Sequence, residues 1–293
     1  MTSKAEFDAF IEAAWNDHAE HAEQVATRLQ ASLALLADAE RIAPYARLVT
    51  HVFGEHLARW EDGVSVLEAI MHSPGWQGSE ADQATLARYR ATLLYGAGQS
   101  EVLAGLSRDD QIVVLATVAT AFLGQGQVRR AIETYQAALT EADSAPVSDA
   151  AVQRALAIGG NNLACGLEEK SVRDAFEDDG MVTAAEAGLR YWSLCGTWLN
   201  QERAEYRLAS SLLKAGRYAD AVAHAQACLA ICAANDATPF EQFFGFALLA
   251  AVHRAQDDAP GFTVAREQAR AWYAQIKPEH QADCSATLAE LDD

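Results

Sequence analysis

Among the side chains best suited to hold a metal or run a redox step, this 293-residue chain carries eight histidines and five cysteines. His18 and His21 stand three apart in DHAEHAE, among Asp17, Glu20 and Glu23, a weak donor set for a divalent ion. His51 and His56 bracket Glu55 in HVFGEH. On an α-helix of about 3.6 residues per turn, a spacing of five splays two side chains by about 140°. The pair therefore departs from the i,i+4 spacing of a zinc-protease helix. The first cluster reads as a solvated acidic face and the second as a helix that is part core, part surface, so no metal site is expected. Cys228 and Cys232 share one helical face in CLAIC. The cysteines are odd in number and widely scattered, which fits reduced cytoplasmic thiols. The CLAIC pair reads as small buried hydrophobes rather than a redox couple.

Other chemical signatures fail on spacing. The acidic run Glu177-Asp178-Asp179-Gly180 lacks the alternating oxygen ligands and distal glutamate of a calcium loop. It reads as a solvated loop. Gly96/Gly98 and Gly124/Gly126 form GxG pairs, but each follows a helical stretch and lacks a preceding strand. They read as helix stops, not phosphate cradles. Neither a GxSxG elbow nor a Walker lysine motif occurs, and the sequence points to no catalytic residue and no cofactor.

The charge balance narrows the partners. Lys+Arg total 22 against 41 Asp+Glu, a formal net charge of -19, and acids outnumber bases in both halves. Nucleic-acid binding needs a clustered basic surface that displaces counterions, so a nucleic-acid partner is set aside. The longest apolar run, IVVLATVATAFLG at 112–124, is too short to span a bilayer, and no charged-then-apolar leader opens the chain. The expectation is a cytoplasmic protein without a membrane segment. Half of the residues (51%) are hydrophobic, enough for a folded core.

Helices must position whatever chemistry there is. Apolar residues recur at three and four, as in Leu208, Leu212 and Ala215, then Ala221, Ala225, Cys228, Leu229 and Cys232. No alternating β-branched run appears. Helices are expected over 4–15, 18–37, 42–58, 62–72, 80–96, 100–106, 108–124, 128–142, 148–169, 181–195, 198–214, 218–234, 240–255, 261–275 and 279–291. The breaks fall at SPGWQGS, ADSAPVSD, ANDATP and DDAPG. Ser79 and Ser107 precede acids and read as N-caps.

The sequence also repeats itself. Gly126 aligned with Gly216 matches VATAFLGQGQVRRAIETYQAAL to LASSLLKAGRYADAVAHAQACL without a gap. A third partial copy, ATLLYGAGQ, covers 91–99. Residues 112–145 and 202–235, each 34 long, resemble tetratricopeptide repeats. The resemblance rests on the large–small pairs Val118-Ala119 and Leu208-Ala209, the turn residues Gly126 and Gly216, and the small residues Ala131 and Ala221 at the helix crossing. It implies an all-α fold, an α–α superhelix in which antiparallel helix pairs stack as a right-handed solenoid. A single solenoid is expected over 1–293. Residues 1–79 would be degenerate or capping repeats, and 80–293 repeats interrupted by an insertion at 168–180.

In that family the first helix of each pair lines a concave groove. Carried over by register, the resemblance assigns Arg203, Tyr206, Arg207, Ser210 and Lys214 to it. Asn161 and Asn162 join from the preceding copy, and Phe243, Phe246, His253 and Arg254 from the next. Asn162, before Leu163, looks like the asparagine that holds a bound peptide's backbone or terminal carboxylate. Residues 186–235 hold five bases and four acids, a local exception that would focus an anionic group. The competing reading pairs Arg203, Arg207 and Lys214 with Glu168, Glu169, Glu202 and Glu205 as ordinary ion pairs. The expected function is a non-catalytic scaffold that binds a protein or peptide segment, one carrying an acidic group or free carboxylate. The alternative is a peptide- or ligand-sensing regulator acting in trans.

Overall fold

The computed structural model describes residues 3–292, and every regular element among them is helical. The chain packs as two compact units, Met1–Ala155 and Leu156–Asp293. The first contains α1 (Lys4–Asp17), α2 (Ala22–Ala31), α3 (Ile42–Thr50), α4 (Trp60–Ala69), α5 (Glu80–Gly96), α6 (Arg108–Gly124) and α7 (Val128–Asp143). Helix α8 (Ala150–Glu168) contains the division. The second unit continues with α9 (Ala175–Cys195), α10 (Trp198–Lys214), α11 (Tyr218–Ala234), α12 (Pro239–Ala255), α13 (Ala259–Tyr273), α14 (Pro278–Gln281) and α15 (Ser285–Glu290). None of these helices is long and apolar enough to cross a membrane.

The second unit is regular. Helix α10 packs on α9 and α11, α12 packs on α11 and α13, and α10 also meets α12, so neighbouring helix pairs stack as in an α–α superhelix. Small residues set the spacing. Ala221, Ala225, Ala265 and Ala269 are buried at the crossings, where a larger side chain would push the helices apart. Gly188 brings α9 onto the α8 backbone, where an added Cβ would meet the Asn161 nitrogen at 3.3 Å. Gly216 ends α10 with φ +73° and Gly126 ends α6 with φ +72°. Both are left-handed stops that favour glycine. These matched turns and the 0% exposure of both Ala131 and Ala221 give the two copies one local geometry.

The first unit is less regular. The expected helix over 18–37 ends at Ala31 and gives way to short 3₁₀ turns at Leu33–Leu35 and Ala39–Arg41. The expected helix over 42–58 is α-helical only to Thr50. From His51 to His56 it widens into one turn of π-helix, with the Leu57 amide bonded to the Val52 carbonyl five residues back at 3.1 Å. Trp60 explains part of this. Its ring lies against Gly54 and Gly96, and a Cβ on Gly54 would stand 2.7 Å from it. The ring also meets Phe122 edge-on at 6.0 Å. Tyr45, Phe53, Leu29, Leu67 and Ile70 complete a core that is fully closed to solvent.

Two smaller expectations change. The stretch expected as helix over 100–106 is a 3₁₀ segment, Ser100–Gly105. The acidic run 177–180 is not a loop but the start of α9, where Asp174 and Glu177 form a reciprocal cap. Acids suit a helix N-terminus, which accounts for their clustering.

Candidate functional site

Helix α10 turns Ala204, Leu208, Ala209 and Leu212 into the core. Its other side carries Arg203, Tyr206, Arg207, Ser210 and Lys214, the residues assigned to the groove by register. Their surroundings decide what they can do. Glu168, at the end of α8 and only 7% exposed, accepts from Arg207 at 2.6 Å, from Ser210 at 3.0 Å and from Ser211 at 2.6 Å. One carboxylate thus holds three donors of α10, a preformed network in which Arg207 and Ser210 already have their anion. Arg203 bonds Glu241 of α12 at 2.6 Å while staying 60% exposed, so it is paired yet accessible. Lys214 is exposed, and its carbonyl accepts from Arg173 at 3.3 Å. On α8, Asn161 is partly buried and Asn162 is exposed.

The aromatic residues of α12 fall one register away from expectation. Phe243 is a correction: at 0% exposure it belongs to the core, packed on Tyr273 at 5.6 Å, and cannot line a groove. Phe244 and Phe240 take the surface position instead. Phe244 meets Tyr206 edge-on at 6.4 Å and Phe240 at 4.9 Å, forming a partly buried ladder across the two first helices. Burial pushes the Tyr206 hydroxyl up to about 12, so it stays protonated and able to donate. Phe240 continues into a cleft of about 540 Å³ lined by Pro239, Ile276, Lys277 and His280. Phe246 is partly buried. His253 pairs with Asp258 at 2.8 Å, and Arg254 donates to the Glu290 carbonyl at 2.7 Å with its guanidinium over Phe262. His253 thus fastens the turn between α12 and α13, and Arg254 fastens the end of the unit.

Behind the stripe lies a sealed polar cluster. Glu202, 2% exposed, accepts from the thiols of Cys228 at 3.0 Å and Cys232 at 3.6 Å, while its second oxygen has no hydrogen-bond partner. Burial raises the Glu202 pKa above the usual carboxylate range. Cys228 is pushed up by its hydrogen bond with Cys232 and then by burial, so it is a thiol, not a thiolate. The apolar role expected for the pair is modified: both are buried, but both serve a carboxyl group.

In the first unit the histidines gather unexpectedly. His51 and His56 lie on the π turn with their Nε2 atoms 3.1 Å apart, and His18, just beyond α1, joins them with ring centroids 4.8 and 4.9 Å away. The 140° separation expected for an α-helix does not apply to a turn whose hydrogen bonds span five residues. His21, the expected companion of His18, stands outside the group. Burial, with the neighbouring His51, holds His56 below the usual imidazole range, against the pull of Glu55.

Neither a known protein family nor a curated protein matches the chain in sequence. Among solved structures, the crystal structure of BtubC (BKLC) from P. vanneervenii is similar at 16% identity and a TM-score of 0.48, covering 85% of this chain and 91% of that one.

Proposed function

We propose that the chain is a non-catalytic, tetratricopeptide-like scaffold whose second unit binds a protein or peptide segment along the first-helix stripe of α10 and α12. The observation that carries this reading is the Tyr206–Phe244–Phe240 ladder, which stays partly exposed and runs into the apolar cleft beside Ile276. Apolar side chains of a partner buried there gain about 25 cal/mol per Å², and rigid aromatic rings lose little entropy on binding. The salt bridges flanking the ladder fix its edges before a partner arrives, which lowers the ordering cost.

The polar half of recognition rests on the groups left accessible. Arg203 is the exposed base beside the ladder and is the contact for an acidic side chain or carboxylate on the partner. Asn162 and Lys214 supply further exposed donors. Arg207 and Ser210 act as the fixed frame, because Glu168 already occupies them.

Selection of a random peptide library against the purified chain tests this reading. Enriched peptides should combine an aromatic or aliphatic residue with an acid. Phe240→Ala/Phe244→Ala should abolish their binding with helicity unchanged, and Arg203→Glu should weaken the acidic ones. Enrichment that survives the double substitution would place the site elsewhere.

A further inference from the structure

We propose that His18, His51 and His56 form a binding site for a borderline divalent transition-metal ion, Zn²⁺ in the first instance, with one coordination position left open. Three imidazoles, each offering one nitrogen, place those atoms all within 4.8 Å of one another. A tetrahedral Zn²⁺ bound at about 2.0–2.1 Å holds its ligand nitrogens about 3.3 Å apart. The His51–His56 pair, at 3.1 Å, is already at that separation. Only His18 has to close in.

The second layer of groups is arranged as metal-binding histidines require. A ligating imidazole donates its other N–H to a carboxylate or carbonyl, which fixes both tautomer and ring orientation. His51 directs Nδ1 to the Glu55 carboxylate at 2.9 Å, and His18 donates its Nδ1 proton to the Trp15 carbonyl at 2.5 Å. Both rings therefore present Nε2, as a lone pair, to the interior of the cluster. His56 completes the set in the tautomer that carries its proton on Nδ1. Imidazole donors suit Zn²⁺, Cu²⁺ and Ni²⁺ rather than Ca²⁺ or Mg²⁺.

Rigid elements hold the donors. His51 and His56 are fixed by the π turn, itself held through Gly54 by the Trp60 ring and by Gln125, whose amide donates to the Gly54 carbonyl. His18 is held by edge-on packing on Trp15 at 5.1 Å. Trp15 also packs at a tilt against His51 at 5.0 Å and lies under the Arg47 guanidinium at 5.4 Å. A bound ion would clip the end of α1 to the π turn, with His56, the exposed member, bordering the open position. That position is available to water or to a donor atom from outside.

Calorimetric titration of the full chain, free of any affinity tag and stripped with chelator, with ZnCl₂ tests the site. One saturable equivalent should bind and raise the midpoint of thermal unfolding. His18→Ala and His56→Gln should each lose that equivalent, Glu55→Gln should weaken it by about 10–100-fold, and His21→Ala should leave it intact. Circular dichroism checks that each variant remains helical. Co²⁺ in place of Zn²⁺ should give weak visible bands without sulfur charge-transfer absorption. No saturable uptake overturns the proposal. Uptake that persists in His18→Ala and His56→Gln but is lost in Cys228→Ser also overturns it.

Discussion

The two units solve the same problem, packing short helices, with different degrees of regularity. The second repeats one solution: a glycine stop, an alanine crossing and a stacked first helix. The first shares it in α6 and α7 but departs from it where Trp60 wedges between Gly54 and Gly96, and there the backbone widens into a π turn. The difference teaches where chemistry collects. Regular pairs display side chains at intervals that a neighbour can neutralise, as Glu168 does for Arg207. The irregular turn instead gathers distant imidazoles into one place.

Substitutions can break or sharpen this contrast. The largest effect is expected from Phe243→Ala, which should lower stability by about 3–5 kcal/mol as a core cavity. Urea unfolding measures it, and a near-neutral result would return Phe243 to the groove. Next comes Glu168→Gln, which sets an amide NH₂ against Arg207, Ser210 or Ser211. A loss of about 2–3 kcal/mol follows from stranding these donors, again read by urea unfolding. Gly96→Ala should cost about 1–3 kcal/mol through collision with Trp60. Gly216→Ala should cost only about 1 kcal/mol, from its left-handed backbone, since open space surrounds it. If the two glycine changes cost the same, Trp60 is not what sets the irregular unit apart.

The smallest effect concerns pH. Glu202 has a raised pKa in the folded state, so the folded form holds its proton more tightly than the unfolded form. Its contribution is fully present below the unfolded carboxylate pKa and is lost as pH rises through the folded value. Thermal midpoints of Glu202→Gln should therefore gain on those of the parent as pH rises from about 4.5. A constant difference across that range would mean that Glu202 ionises as freely in the core as in water.

Legibility in the sequence follows local regularity rather than the boundary between the units. Val118-Ala119 and Leu208-Ala209, with their glycines and crossing alanines, encode the helix pairs locally, so the pairs show in the sequence's own repetition. Helix α12 was harder to phase. Its PFEQFFGFALLAAV is apolar on every side, and periodicity cannot choose between Phe243 and Phe244 when both are aromatic and adjacent. The pairing of Arg207 with Glu168, 39 residues earlier, is one option among several that the sequence allows. The histidine cluster was hidden for two reasons. A π turn has no compositional mark, and the approach of His18 to His51 depends on how α1 lies on α3, which only packing decides.

The grip of Arg254 on the Glu290 carbonyl has a consequence for the order in which the second unit opens. Helix α15 is six residues long and too short to persist alone. Its amides should therefore exchange with solvent at a rate set by release of that guanidinium, while those of α10 and α11, flanked on both sides, exchange last. A deuterium-uptake gradient running inward from Glu290 would be the signature of a stack that frays from its end, one clasp at a time.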